Sequence, residues 1–357
     1  MAAKPRVMIA MSGGVDSSVA ALIVQRLGYE CAGVTMKLLA ENDGSAAEDA
    51  ARVAAALGIK HHVVDFSEEF RAGVIEPFIL AYENGTTPNP CIECNNVIKF
   101  GRLLEYAKEM GFDKLATGHY ARIIGEENGV YDLVRAVDTD KDQSYFLYGL
   151  SQKTLDRVMF PLGDLTKSKV RSIAEEAGFV NANRAESQDI CFVPGGSHAD
   201  YIESYRGRVS KPGNFVDTEG NIIGRHAGII RYTIGQRKGL GLALGRPLFV
   251  KEIRPEMNEV VLGDEEDIFT SWIEIADFEW VDAFEEHQFG ITSAVYGYIM
   301  LRYNSKPVWA KVEPGNKGRL IATFKEPVRA PAKGQAAVLY DIYLGRFSRV
   351  FGGGRIV

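Results

Sequence analysis

Residues 12–17 read Ser-Gly-Gly-Val-Asp-Ser, directly after the apolar run Val7–Met11 and before helically spaced Val19, Leu22, Ile23 and Leu27. A strand that turns through two glycines into a helix presents backbone N–H groups and a helix N-terminus to an anion. Ser12, Ser17 and Ser18 add hydroxyl donors. The loop lacks the Gly-Lys-Ser/Thr ending of the common nucleotide-binding loop and does not fit Gly-x-Gly-x-x-Gly. Asp16 is out of character beside phosphate, because a carboxylate repels it unless Mg2+ lies between them. The plainer alternative is a glycine turn with an aspartate cap.

The second chemical set is sulfur. Cys31 lies in an apolar strand context and reads as core. Cys91 and Cys94 form Cys-x-x-Cys, and Cys191 lies in Glu186-Ser187-Gln188-Asp189-Ile190-Cys191-Phe192. Three readings compete. Three cysteines without a suitably spaced histidine make a weak zinc site. A thiol or persulfide centre fits a Cys-x-x-Cys at the start of a helix, with Asn95 opening it and Lys99 one turn in. An iron–sulfur cluster held by Cys91, Cys94 and Cys191 is the third.

Alternating elements must position these residues. Val7–Met11, Cys31–Met36, His62–Phe66 and Leu115–Gly118 read as strands. Ser17–Leu27, Ala46–Leu57, Phe70–Tyr82 and Asn95–Met110 read as helices, three of them stopped by Gly28, Gly58 and Gly111, and residues 164–178 give another. The fold class is therefore α/β, a parallel sheet with helices on both faces, whose ligands bind at the carboxyl ends of the strands. Residues 84–95, rich in Gly and Pro, read as irregular. Beyond about residue 205 helical periodicity fades. Ile222–Gly224, Gly228–Thr233, Pro247–Ile253 and Glu259–Leu262 read as the strands of a small β-rich domain. Trp272–Phe278, Ser293–Arg302, Val308–Val312, Arg319–Phe324 and Ala336–Tyr340 read as a C-terminal β-barrel. The expected domains are 1–204, 205–272 and 273–357.

The chain has 357 residues and a net charge of −6, which argues against nucleic acid until its distribution is read. Residues 261–296 hold 10 Asp/Glu and no Lys/Arg, whereas residues 297–357 hold 11 Lys/Arg against 3 Asp/Glu. Such a basic block can meet a polyanion locally. No apolar run is long enough to span a bilayer. Met1–Arg6 is too short and polar for a signal peptide, so no membrane and a cytoplasmic location are expected.

The Ser12–Ser17 loop resembles the pyrophosphate loop of the N-type ATP pyrophosphatases, which have an adenine nucleotide alpha hydrolase-like fold and transfer AMP to a carbonyl oxygen. Read with the cysteines, the whole chain resembles one family within that group, the tRNA-specific 2-thiouridylases. The matches run from Met11–Ser18 and Met36-Lys37 through Thr87–Pro90, Cys94-Asn95, Lys99-Phe100, Ala116–Arg122 and Asp140–Leu147. They continue through Glu186–Phe192 and Tyr232–Gly239 to Arg302-Tyr303. The resemblance implies ATP-dependent 2-thiolation of the wobble uridine, position 34, in a tRNA anticodon stem-loop, a tRNA-uridine 2-sulfurtransferase activity. By it Cys94 is the nucleophile and Cys191 carries the persulfide, the two meeting as a transient disulfide. It implies ATP contacts, with Mg2+, at Ala10, Met11, Ser12, Gly13, Gly14, Val15, Asp16, Ser17, Met36 and Gly118. Asn89, Pro90 and Cys91 would face the target base. Lys141, Asp142, Gln143, Arg302 and Tyr303 would touch tRNA, with His119 and Gln335 as further contacts. A persulfide sulfur-donor protein is the implied partner. Some members have aspartate where this chain has Cys91, so Cys91 is not essential to the shared thiol chemistry. Cys191 must reach Cys94, and Pro194–Ser197 is a hinge candidate. The competing readings are a small-molecule adenylating ligase or amidotransferase with the same loop, and a tRNA- or metal-binding protein without catalysis.

Overall fold

Val7 and Ile9 point to one face of their strand and Met8 to the other, and all three are fully buried. A strand buried on both faces belongs inside a parallel sheet. The computed structural model describes residues 5–39, 44–125, 129–182, 190–193, 195–242, 245–281, 293–343 and 346–357. In it β1 (Arg6–Ala10), β2 (Glu30–Lys37), β3 (Lys60–Asp65) and β4 (Lys114–Ala116) are parallel, in the order β3-β2-β1-β4. The chain then leaves the sheet for an antiparallel hairpin, β5 (Ala121–Gly125) and β6 (Tyr131–Arg135). It returns as β7 (Val158–Met159), parallel to β4.

Helices cover both faces. On the Val7/Ile9 face, α1 (Val15–Arg26) packs with α2 (Ser45–Leu57) and the helix Lys167–Glu176, burying Val19, Val53 and Val170. On the Met8 face lie two longer helices, residues 67–83 and 90–109, which bury Phe70, Phe78, Ile98 and Leu103. Both widen into π-helical turns, over Arg71–Ile75 and Cys94–Arg102.

The irregular stretch expected over 84–95 ends sooner than its Pro content suggested. Pro90 occupies the first helical turn, where its missing N–H costs nothing, and the Asn89 side chain caps that turn by accepting from the Cys91 N–H at 3.2 Å. The helix expected from Asn95 therefore starts at Pro90 and carries both cysteines. Gly228–Thr233 is not a strand either, because Ile229–Arg231 makes a 3-10 turn after Gly228. The helix His198–Arg206 was not anticipated; Ser197 caps it through the Ala199 and Asp200 N–H groups.

The middle segment forms a mixed sheet of β8 (Gly213–Val216), β9 (Ile222–His226), β10 (Phe249–Arg254) and β11 (Glu259–Gly263), ordered β10-β11-β8-β9. Only β11 and β8 run parallel. The last segment is an antiparallel six-stranded barrel: β12 (Phe269–Trp280), β13 (Val295–Met300), β14 (Val308–Pro314), β15 (Leu320–Arg329), β16 (Ala336–Tyr343) and β17 (Arg346–Ile356). Its order is β12-β15-β14-β13-β16-β17, and β17 pairs with β12 to close it. β17 also pairs with β6 at Arg349 and Val134, so the early hairpin extends the barrel's sheet. Among the described residues no helix is long and apolar enough to cross a membrane.

Candidate active site

β1 ends at Ala10 and α1 starts at Val15, so four residues make the turn at the carboxyl edge of the sheet. Gly13 takes a left-handed φ of 71°, which a side chain would strain. No side chain caps α1 at Gly14, which leaves the helix N-terminus facing outward. The loop is braced from behind. The Ser12 N–H donates to Ser17 Oγ at 3.1 Å, and the Ser17 and Ser18 hydroxyls each donate to the Gly14 carbonyl at 3.0 Å. Buried Asn181 donates through Nδ2 to the Gly13 carbonyl at 2.8 Å and to Ser18 Oγ at 2.9 Å. Its Oδ1 has no hydrogen-bond partner among the described residues. The Thr35 hydroxyl donates to the Met11 carbonyl at 2.8 Å, with Met36 beside it on β2. Gly118 presses against the loop: a Cβ there would come within 2.9 Å of the Ser17 nitrogen.

Asp16 does not stand alone beside the loop. The Lys167 Nζ donates to both its oxygens, at 2.8 and 2.7 Å, and the Tyr120 hydroxyl donates to Oδ1 at 2.8 Å. The lysine absent from the loop thus arrives from another helix. Its backbone N–H donates to Asp138 Oδ2 at 2.8 Å. Lys167, Tyr120, Asp138 and Asn181 were missed from sequence. One signal was legible: Lys167 opens its helix behind a Thr166 cap, where the dipole disfavours a cation. A lysine at that end needs a local anion.

The second cluster forms where the residue 90–109 helix meets the Cys191 segment. All four cysteines are free thiols, Cys94 buried, Cys91 and Cys191 exposed and Cys31 half-buried. Cys191 lies close enough to Cys94, Cys91 and Lys99 for each to act on its charge. Phe192 holds the segment there, its ring edge-on to Phe70 and Phe78 at 5.7 and 5.2 Å. Cys191 keeps some exposed surface, but the protein packed around it desolvates the thiol; that desolvation, then the neighbouring thiols, pushes it up to about 11, against the pull of Lys99. Cys94 is also raised, by burial first, with Lys99 opposing. Among the described residues, no group of three or more Cys, His, Asp or Glu side chains is placed to hold a metal ion. Residues 186–189, which precede this segment, and Pro194 of the expected hinge lie outside the described residues.

His119 joins the two clusters. It is buried between Phe100 and Phe160, with Thr117 Oγ1 at 2.7 Å from Nδ1 and Lys99 Nζ at 3.3 Å from Nε2. Burial, reinforced by Lys99, holds its pKa well below the usual histidine range. The ring is neutral at physiological pH. Its Nε2 accepts from the Lys99 ammonium, and Nδ1–H donates to Thr117.

The remaining expected residues fall at the junction with the barrel. Asp142 turns inward, accepting from Arg135 Nε at 2.7 Å, the Ala136 N–H at 2.9 Å and the Ser144 hydroxyl at 2.9 Å. Gln143 accepts from the Tyr120 N–H at 3.0 Å, while Lys141 is half-exposed beside them. Tyr303 stacks at a tilt on Phe146, 4.3 Å between centroids, and exposed Arg302 donates to the Ala330 carbonyl at 3.2 Å. Gln335 donates to the Thr87 and Pro88 carbonyls at 3.0 and 3.2 Å, directly before Asn89 and Pro90. The barrel is thereby tied to the cysteine turn.

Residues 5–195 match the family model described as "tRNA methyl transferase HUP domain", residues 199–264 the "tRNA methyl transferase PRC-barrel domain", and residues 270–356 the "Aminomethyltransferase beta-barrel domain". The chain is 46% identical to a protein from Lachnoclostridium phytofermentans named "tRNA-specific 2-thiouridylase MnmA", covering 95% of this chain and 98% of that one. A protein of the same name from Carboxydothermus hydrogenoformans is 45% identical, covering 99% and 98%. One from Chloroflexus aggregans is 44% identical, covering 98% of each. The chain belongs to the tRNA-specific 2-thiouridylase family. Membership puts a single frame around an anion loop and a thiol cluster at one sheet edge.

Proposed function

We propose that this protein is a tRNA uridine 2-sulfurtransferase that thiolates the wobble uridine, position 34, at the expense of ATP. What carries the reading is the end-to-end similarity to the thiouridylases, with Cys191 within electrostatic reach of buried Cys94 in support. Uracil C2 carries an oxygen that leaves poorly. Attack of that oxygen on the α-phosphate of ATP releases pyrophosphate and turns it into AMP, a good leaving group. The Ser12–Ser17 loop receives the β and γ phosphates on the N–H groups of α1, and Mg2+ supplies charge neutralisation there. Sulfur then takes the place of AMP at C2.

Cys191 brings that sulfur as a persulfide loaded by a donor protein. In one route the terminal persulfide sulfur adds to C2 and AMP leaves. The Cys94 thiolate then attacks the Cys191 Sγ, freeing 2-thiouridine and forming the Cys94–Cys191 disulfide. In the other, Cys94 attacks first and releases hydrosulfide, which adds to C2. Both end in the same disulfide, and an external thiol reductant resets it. Lys99 sits where negative charge forms on sulfur. Asn89, Pro90 and Cys91 line the approach of the base, which must leave the anticodon stack to arrive.

The test is a purified assay with tRNA carrying uridine 34, ATP and a persulfide donor, read as 2-thiouridine in digested tRNA. Cys94→Ser and Cys191→Ser each abolish the product, whereas Cys91→Asp retains it. Product from both serine variants ends the proposal. Pyrophosphate release that depends on a small acid rather than tRNA supports a ligase instead, and no release at all supports a binding protein.

A further inference from the structure

We infer that Asp16 and Lys167 form a charge latch over the phosphate site, in which Asp16 holds Lys167 until a polyphosphate takes it away. The inference rests on the reading of Ser12–Ser17 as a phosphate loop and adds to it the group that enters and the group that is released.

Lys167 is mostly buried, and its ammonium points both ways from one spot: to Asp16, and toward the start of α1, whose first turn contains Asp16. The carboxylate takes the lysine in a forked contact at 2.8 and 2.7 Å, and Tyr120 pins Oδ1 from the other side. Two features mark this pair as more than structural glue. The cation opens its own helix, the end at which a positive charge is unfavourable, and Asp16 offsets that cost. The anion sits in the first turn of α1, where it occupies the field that a phosphate would use. Buried Asn181 braces the same turn through Nδ2, and its Oδ1 has no hydrogen-bond partner among the described residues, a polar edge of the site left unsatisfied by the protein.

A polyphosphate entering against α1 offers Lys167 several oxygens in place of two. Once Lys167 swings to phosphate, Asp16 is left with only Tyr120 and becomes a free carboxylate facing the same phosphates. Asp16 would then be the residue to hold a Mg2+ ion that arrives with the polyphosphate. No bond forms or breaks in the step. The lysine–aspartate pair is traded for a lysine–phosphate pair, and Asp16 would be available to the Mg2+ that neutralises the phosphates. In the resting chain Asp16 and Lys167 neutralise one another.

The experiment is calorimetric titration of the full-length protein with inorganic pyrophosphate in chelator without Mg2+, and separately with Mg2+ and ATP. Lys167→Met should weaken Mg2+-free pyrophosphate binding by about tenfold or more, and Lys167→Arg should restore most of it. Asp16→Asn should strengthen Mg2+-free binding by about tenfold, because the lysine is no longer held, while the gain from adding Mg2+ shrinks. Removing any carboxylate near phosphate raises affinity somewhat, so the deciding comparison is the double variant. The Asp16→Asn gain must vanish in Asp16→Asn/Lys167→Met. A gain that persists without Lys167, in variants whose melting and circular dichroism match the parent, overturns the latch and leaves the loop reading intact. If the parent binds neither pyrophosphate nor Mg2+ and ATP, the loop reading itself fails and the latch with it.

Discussion

Lys99 is the cation whose charge acts on the three candidate thiols. Its charge reaches Cys91, Cys94 and Cys191, and in each case it opposes the burial that raises the thiol. It is steadied by a neutral imidazole, itself fixed by Thr117. A thiol raised to about 11 is protonated near pH 7, so its nucleophilic fraction grows about tenfold for each pH unit below that value. The groups facing Cys191 are Cys94, Cys91 and Lys99 from the cysteine helix and Tyr201 from the helix His198–Arg206. That tyrosine is pushed up to about 12 by burial first and stays neutral over the same range. Lys99→Met should therefore slow Cys191 alkylation at every pH below about 11, and Lys99→Arg should hold the rate near the parent's. Iodoacetamide labelling read by peptide mass across pH 6–11 (roughly the window set by the thiol itself) measures both. An unchanged profile in the methionine variant removes Lys99 from the thiol chemistry.

At the scale of elements, the π-helical turn explains why Lys99 stands where it does. In an α-helix of 3.6 residues per turn, position i+5 points well away from position i; a wider turn brings it nearly underneath. Cys94 opens the π-helical stretch and Lys99 is its i+5 residue. Asn89 fixes where the helix begins, and with it the direction of Cys91 and Cys94. Asn89→Ala should cost about 1 kcal/mol of stability, the usual worth of a helix cap. It should also lower thiolation by more than this small loss explains, because the cysteine turn loses its register; urea melts and turnover on one preparation compare the two. The parallel sheet, the loop and the cysteine cluster were legible because each is local: periodicity sets the strands, glycine sets the turn, and Cys-x-x-Cys announces itself. The π-turn was not, because a one-residue widening leaves no hydrophobic period to read. Lys167 was hidden for a different reason: its partner lies 151 residues away, and no local pattern reports an ion pair of that span. β17 was not among the expected strands; three consecutive glycines, Gly352, Gly353 and Gly354, carry no side-chain alternation to read, and they lie flush against Glu279, Tyr148 and Ala276.

For the whole molecule, the barrel is fastened to the catalytic sheet at the places a tRNA would have to span. Tyr145 donates to the Ala336 carbonyl at 2.9 Å, Gln152 to the Val281 carbonyl at 2.7 Å, and the Thr87 N–H to the Lys333 carbonyl at 2.8 Å. Gln335 adds its two bonds to Thr87 and Pro88. The basic residues of 297–357 thus have a fixed position relative to the cysteine turn, so a tRNA bound to the one would be presented to the other. Gln335→Ala removes two bonds at this seam without touching the phosphate loop or any thiol. Net hydrogen bonds are worth about 1 kcal/mol each, so the fold survives the change while the seam loosens. Affinity for ATP should be unchanged, tRNA affinity should fall modestly, and the single-turnover thiolation rate should fall more than either. A tRNA held partly by phosphate contacts should also bind more weakly as salt rises, with a log–log slope that counts those contacts. Measured together, equal slopes and a slower rate in Gln335→Ala locate its effect in presentation of the base. A lower slope places Gln335 among the residues that hold the backbone, and an unchanged rate removes the seam from catalysis.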